Sequence, residues 1–256
     1  MDWISIARRT QSLSPPRYVE PARLFVFRTR AFFFRGDAVR CPCCGGRFSR
    51  FAGVGKNSRA AACPRCDSRE RQRLLYLYLR DQTSLFTDRL RVLHVAPEAC
   101  LQPTLKKLGN LDYVSADLSS GSAMVCMDIT DIQFPDNSFD AILCSHVLEH
   151  VRDDGRAMRE LRRILKPGGW ALLQVPVDGS RERTFEDPRV TDPAERERLF
   201  GQWDHVRTYG RDYPRRLADA GFDVQVVPYA ADLGPDVVRV CGLDADENVH
   251  VCRKQP

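Results

Sequence analysis

From Asp140 to Val175 the chain spells out a strand, a helix, a stop and a second strand. Asp140-Ala-Ile-Leu-Cys144 is an apolar run of strand length, without the polar alternation of a half-exposed strand. A helical segment at 153–165 follows and ends at Leu165-Lys-Pro-Gly-Gly169, where proline and glycine deny it a continuation. Trp170 to Val175 is apolar again. Two such strands joined through a crossover helix pair in parallel, and a parallel sheet needs helices on both faces. The same alternation extends outward. The pattern predicts strands at 91–96, 112–116, 123–127, 139–144, 169–175, 222–228 and near 247–253, and helices at 99–108, 153–165 and 209–220. The fold class is therefore α/β, a doubly wound and mostly parallel sheet.

The chain has 256 residues, enough for one large domain and a small module. The expected division is an irregular extension at 1–37, a cysteine-rich module at 38–67, a linking helix at 68–87 and the α/β domain at 88–256. Residues 177–206, polar and rich in arginine and proline, interrupt that domain after a strand's carboxyl end, where a lid or acceptor pocket belongs. A short helix is expected at Pro193–Phe200. The net charge of +5 permits an anionic partner without requiring one. No apolar run reaches the roughly 20 residues of a membrane span. Arg8 and Arg9 precede no signal-peptide core. The basic, aromatic stretch Arg23–Arg35 suits a membrane or RNA surface, but is expected to pack on its own domain.

Ten cysteines do not make a disulfide framework in a chain of this length, and a reducing cytoplasm is the expected compartment. Cys41-Pro-Cys-Cys44 and Cys63-Pro-Arg-Cys66 form two C-x2-C pairs. Each pair offers two thiolates to one metal, and four thiolates in a tetrahedron suit Zn2+. Cys43 competes with Cys44, but the two-residue spacer favours Cys41, Cys44, Cys63 and Cys66. Four sulfurs close the coordination shell, so the zinc is expected to be structural. Its rival role is a nucleic-acid grip, with Arg40, Arg47, Arg50, Lys56 and Arg59 as the basic contacts. Cys126 and Cys144 are expected in buried strands.

Doubly wound sheets bind ligands outside the carboxyl ends of their strands. Asp117 ends the second strand, where a carboxylate can accept from ribose hydroxyls. Asp128 ends the third, followed by Ile129, which pairs an acceptor for an adenine amino group with an apolar cover. The fourth ends at Cys144-Ser-His146. His146, Glu149, His150 and His205 are candidate bases for an acceptor that must lose a proton. His146 and His150, four apart, are expected on one face of a helix opening after the fourth strand. Packing or capping competes for His150, and a lid-anchoring hydrogen bond for His205. Asp204 is adjacent to His205 in sequence, which implies no dyad.

The combination Phe134-Pro-Asp-Asn-Ser-Phe-Asp140, Leu148-Glu-His-Val151 and Leu165-Lys-Pro-Gly-Gly169 closely resembles the class I methyltransferases that use S-adenosylmethionine. The resemblance runs from about Leu90 to the C-terminus and includes Asp204-His-Val-Arg-Thr-Tyr-Gly210 with Leu217-Ala-Asp-Ala-Gly-Phe222. It implies a seven-stranded sheet and S-adenosylmethionine held by Ala96, Glu98, Asp117, Asp128, Ile129 and Ser145. The family's glycine-rich first loop is replaced by Ala96-Pro-Glu-Ala-Cys100, which resembles a bacterial subfamily with an N-terminal zinc ribbon and a segment like Cys63–Arg71. The expected activity is methyl transfer to an oxygen or nitrogen of a small molecule or glycan-like metabolite, with His205, His150 and His146 as catalytic candidates. The alternatives are an RNA methyltransferase gripping its substrate through the ribbon, and a non-catalytic binding protein whose first loop has lost the cofactor.

Overall fold

The computed structural model describes residues 27, 29–54, 59–119 and 123–256. They fall into two compact units that do not follow the linear division of the sequence. Of the described residues, one gathers those up to 88 with 98–110 and 228–248; the other holds 89–97, those within 111–227, and 249–256. Residues 98–110 and 228–248 cluster with the cysteine-rich segment rather than with the sheet.

The second unit is built on a seven-stranded sheet. Its strands are β1 (Leu90–Val95), β2 (Leu111–Asp117), β3 (Val125–Cys126), β4 (Phe139–Ser145), β5 (Leu165–Gln174), β6 (Asp223–Val227) and β7 (Val249–Arg253). Their spatial order is β6-β7-β5-β4-β1-β2-β3. All neighbours pair in parallel except β7, which is antiparallel to both β5 and β6. The switch point lies between β1 and β4, whose carboxyl ends frame the ligand crevice of such sheets. β4 is central, so Ala141, Ile142, Leu143 and Cys144 are all buried and its sequence shows no alternation.

Asp153 caps the helix Asp154–Ile164, its carboxylate accepting from the Arg156 N–H at 2.8 Å. Ala157, Met158, Leu161 and Ile164 bury its apolar stripe. The Lys-Pro-Gly-Gly stop does more than end this helix. β5 begins at Leu165, and its pairing with β4 slips between Phe139 and Ala141, so the stop residues form an irregularity inside the strand. Gly169 is required there, because a Cβ would meet the Asp140 and Lys166 carbonyl oxygens at 2.9 Å. Cys126, expected to be buried, is exposed because β3 is a two-residue edge strand. The helix expected at 209–220 is shorter, Tyr213–Asp219, as Tyr209 bridges to Val177 just after Arg207–Thr208 pairs as a strand with Phe185–Glu186. Within the 177–206 insertion the helix Pro193–Phe200 forms as expected, capped by Asp192 and ended by Gly201 at φ 83°.

In the first unit, Arg35–Arg40 pairs with Arg47–Phe48 and Ala52–Val54 with Arg59–Ala62, both antiparallel. The linking helix is Glu70–Gln82 and buries Leu74, Leu75, Leu77, Tyr78 and Leu79. Tyr78 packs edge-on against Tyr229, whose hydroxyl donates to Asp81 at 3.0 Å. The helix expected at 99–108 contracts to Gln102–Leu105. Within the Arg23–Arg35 stretch Phe32 and Phe33 are exposed, while Arg30 packs on its own unit by donating to Cys63, Pro64 and Asp67; residues 23–26 and 28 lie outside the described residues. Among the described residues no helix is long and apolar enough to cross a membrane.

Candidate metal and cofactor sites

The sulfurs of Cys41, Cys44, Cys63 and Cys66 lie within 4.8 Å of one another. Cys41 to Cys66 and Cys44 to Cys63 are each 3.6 Å, close to the sulfur separation about a tetrahedral ion with metal–sulfur bonds of about 2.3 Å. The two halves are built alike. The Gly45 N–H donates to the Cys41 carbonyl and the Asp67 N–H to the Cys63 carbonyl, at 2.9 and 3.0 Å. Gly45 and Asp67, each just after its pair, take left-handed φ values of 68° and 60°. The first knuckle uses glycine for that turn; the second uses an aspartate fixed by Arg30 at 2.9 Å.

Cys43 points elsewhere. Its sulfur reaches the Gln72 carbonyl at 3.7 Å, and hydrogen bonding with Cys100 raises its pKa, so it stays a thiol. By contrast, hydrogen bonds from the neighbouring sulfurs hold Cys41 well below the ordinary thiol range. Ser68, fully buried, touches Cys41 at 3.1 Å and Cys66 at 3.3 Å. Arg73 is buried and donates to the carbonyls of Ala61, Ser68, Cys241 and Gly242 while stacking 4.0 Å over Phe51. A zinc ion with four thiolates carries net charge −2, which favours the buried Arg73 cation. The residues present fit zinc.

The cofactor candidates of the second unit sit at strand ends. Ala96, one residue past β1, is held at φ 45°, and its N–H donates to the Ala116 carbonyl at 2.8 Å. His146, one residue past β4, is held at φ 56° with its N–H on the Gln174 carbonyl at 2.8 Å. Both ends that frame the switch point thus carry left-handed, non-glycine backbone, a strain of about 1–2 kcal/mol each. Ala96 therefore adopts a turn that glycine makes without strain, so the glycine-free loop is compatible with a cofactor-binding turn.

Asp117 and Asp128 repeat one arrangement. In each, Oδ1 accepts from the backbone N–H two residues on, Ser119 at 2.9 Å and Thr130 at 2.8 Å. Each pairing fixes one oxygen of the carboxylate. Ser145 ends β4, half-buried; Ile129 is buried in the core of this unit. Glu98 belongs to the first unit, where its carbonyl accepts from Leu101 and Gln102 at 3.0 and 2.9 Å.

The histidines do not share a helix face. The segment after β4 forms only a 3-10 turn, Leu148–His150, and His146 stands outside it in left-handed backbone. His146 Nδ1 meets Glu149 Oε1 at 3.1 Å. His150 Nδ1 meets Asp204 Oδ2 at 3.3 Å, so the aspartate beside His205 in sequence partners a histidine far from it in the chain. His205 Nδ1 lies 3.2 Å from the Phe200 carbonyl, and its ring packs edge-on against His150 with centroids 4.7 Å apart. Burial holds the His205 imidazole below its ordinary range, keeping it neutral.

Arg207, buried, fastens the two segments. It donates to the carbonyls of Leu148, Val151 and Arg152 and pairs with Glu186 at 2.8 Å. The Val206 N–H adds a bond to the Glu149 carbonyl at 2.9 Å. Asp154, also buried, accepts from Tyr209 and Arg216, both at 2.8 Å. Sequence patterns gave no sign of Asp154, Arg207 and Arg216, because their partners are distant carbonyls and side chains and no spacing marks them.

Residues 97–173 match the family model described as a methyltransferase domain. That match spans β2, β3, β4, the capped helix and most of β5, the strands that order the switch-point sheet. Residues 97–173 carry a methyltransferase domain. Over 66 residues the chain is 41% identical to the ubiquinone/menaquinone biosynthesis C-methyltransferase UbiE of Pseudoalteromonas translucida, covering 26% of this chain and 22% of that protein. It thus spans about a fifth of the length of the curated relatives it matches. Among solved structures, the [4+2]-cyclase SpnF aligns at TM-score 0.48 and 18% identity, over 84% of this chain and 91% of that one. An S-adenosylmethionine-dependent methyltransferase from Mesorhizobium loti aligns at TM-score 0.47 and 18% identity, over 70% and 98%. The aspartates at the ends of β2 and β3 and the histidine cluster after β4 all lie in the unit that holds most of this methyltransferase domain.

Proposed function

We propose that the protein is an S-adenosylmethionine-dependent methyltransferase acting on an oxygen or nitrogen of a small molecule or glycan-like metabolite. The observation that carries this reading is the pair of fixed aspartates, Asp117 and Asp128, beside strained switch-point ends at Ala96 and His146. S-adenosylmethionine supplies a methyl group activated on a sulfonium sulfur. Asp117 accepts from the ribose hydroxyls, and Asp128 accepts from the adenine amino group. Ser145 and Ala96 line the crevice. The His146–Glu149–His150–His205 cluster is the polar wall for the acceptor, and it favours a heteroatom that must shed a proton over a carbon. The four cysteines hold a structural zinc ion. Ten cysteines, none of them in a disulfide, suit the reducing cytoplasm.

The test is calorimetric titration with S-adenosylhomocysteine. Wild type should bind in the micromolar range, and Asp117→Ala should weaken binding about 10- to 100-fold, the worth of a hydrogen bond to a charged acceptor. No binding by folded, zinc-loaded protein would overturn the reading and leave a binding protein. A second reading, RNA as acceptor, draws on exposed Arg40, Arg47 and Arg50 with exposed Phe32 and Phe33. It requires RNA affinity that falls steeply with salt.

A further inference from the structure

Glu149, His150 and His205 each offer one ligand atom, and these atoms lie within 4.8 Å of one another. We propose that these three side chains bind a divalent transition-metal ion, a second metal centre in addition to the four cysteines. Three independent features point to a cation.

The first is the orientation of the imidazoles. His150 Nδ1 faces Asp204 Oδ2, and His205 Nδ1 faces the Phe200 carbonyl oxygen. Both partners are acceptors, so each ring carries its proton on Nδ1 and leaves the Nε2 lone pair free to ligate. A carboxylate or carbonyl behind the far nitrogen is the usual support of a metal-ligating histidine.

The second is Glu149, only 1% exposed. Its Oε1 is engaged by His146, but its Oε2 is buried with no hydrogen-bond partner, as is His146 Nε2. A carboxylate oxygen removed from water with no donor is costly, and a bound cation removes that cost.

The third is that the site is assembled without the ion. Arg207 and the Val206 N–H tie the segment carrying His205 to the turn carrying Glu149 and His150. Metal bonds of about 2.0–2.2 Å would draw these three ligand atoms in around one ion.

Two imidazoles and one carboxylate select Zn2+, Mn2+, Fe2+ or Co2+ over Mg2+ or Ca2+, which prefer all-oxygen sets. Three protein ligands leave coordination positions open, the mark of a site that also takes a substrate atom. The turn follows directly from the carboxyl end of β4. Resting on the methyltransferase reading, the open positions would take an oxygen-donor acceptor; the binding of the ion itself does not depend on that reading.

The test is metal stoichiometry on the full chain after equilibration with micromolar Zn2+, then with Co2+. Wild type should hold two ions per chain; Glu149→Gln and His205→Asn should each hold one. With cobalt, the ion lost in the variants should contribute visible absorption without the near-ultraviolet sulfur-to-metal charge-transfer bands that the cysteine centre gives. One ion per wild-type chain overturns the inference and needs no variant, so a misfolded Glu149→Gln does not blunt the test. Two ions retained in folded Glu149→Gln and His205→Asn overturn it as well. S-adenosylhomocysteine binding, read on the same samples, separates the two claims. Retained binding with one ion overturns only the second centre; two ions without binding support the centre and overturn the methyl-transfer reading.

Discussion

The four-cysteine cluster and the histidine–glutamate cluster offer ligands over similar distances, yet they are organised in opposite ways. The first takes its ligands from two short knuckles, each closed by its own backbone hydrogen bonds. The second takes Glu149 and His150 from a 3-10 turn and His205 from a segment more than fifty residues on, joined by the buried Arg207. Each region also has a buried arginine, differently balanced. Arg73 is surrounded by carbonyls beside a cluster that becomes anionic with metal; Arg207 is answered by Glu186 and Asp154 at 2.8 and 3.7 Å. A knuckle is a local solution to metal binding. The other centre exists only if the surrounding fold exists.

Removing zinc should break this contrast most severely. Structural zinc in small modules contributes apparent free energies of about 10 kcal/mol or more. Chelation, or Cys63→Ser, should therefore abolish the cooperative unfolding of the first unit in circular dichroism or calorimetry. A metal-free sample that unfolds as wild type does would end the structural-zinc claim.

Asp154→Ala comes next. It strips Tyr209 and Arg216 of a buried acceptor and leaves Glu186 as the one carboxylate paired with Arg207. Breaking such a buried network costs about 3–5 kcal/mol, measured as the shift of the urea midpoint. The histidine–glutamate centre should weaken with it while the cysteine centre keeps its metal. A loss below about 1 kcal/mol would show that the turn is held by other means.

His250 sharpens the comparison by being a histidine with no metal role. It is buried and donates Nδ1–H to Gln174 Oε1 at 3.0 Å, and burial lowers its pKa from 6.5 to about 4. Its folded pKa lies below its unfolded one, so the unfolded chain binds the extra proton as pH falls. The contribution is complete above about pH 6.5 and is lost on descending through pH 4, amounting to about 3 kcal/mol. Wild type should lose that much more stability than His250→Asn between pH 7 and pH 4. Equal slopes would place the acid sensitivity elsewhere.

The smallest effect belongs to Ala96→Gly. Relief of the left-handed backbone competes with a looser unfolded chain and a lost methyl group, so stability should rise by less than about 1 kcal/mol in urea titration. Affinity for S-adenosylhomocysteine should hold. A fall of more than about 1 kcal/mol would mean that the methyl group matters to packing more than the turn matters to strain.

The cysteine centre is legible in the sequence because its information is local. C-x2-C spacing forces two sulfurs toward one point, and the spacing of Cys41 with Cys44 sets Cys43 aside, as its contact with Gln72 agrees. The sheet is legible for a similar reason, since β4 and β5 are apolar runs whose burial follows from composition alone. Asp117 and Asp128 can be placed at strand ends, although their fixed Oδ1 atoms cannot be foreseen. The helix expected to carry His146 and His150 together is the clearest failure. Spacing by four implies a shared face only where a helix forms, and left-handed backbone at His146 prevents one.

What the sequence determined by itself is therefore what depends on near neighbours: strand and helix type, the knuckles and the strand-end acids. Tertiary structure decided which distant groups meet. It set Asp204 against His150 rather than His205, buried Glu149 beside two imidazoles, and gathered residues 98–110 and 228–248 into the unit that contains the cysteines. The physical reason is that a hydrogen bond or buried charge is satisfied by whichever partner lies within reach. In a doubly wound sheet that partner is chosen by the path of the crossovers, not by proximity along the chain.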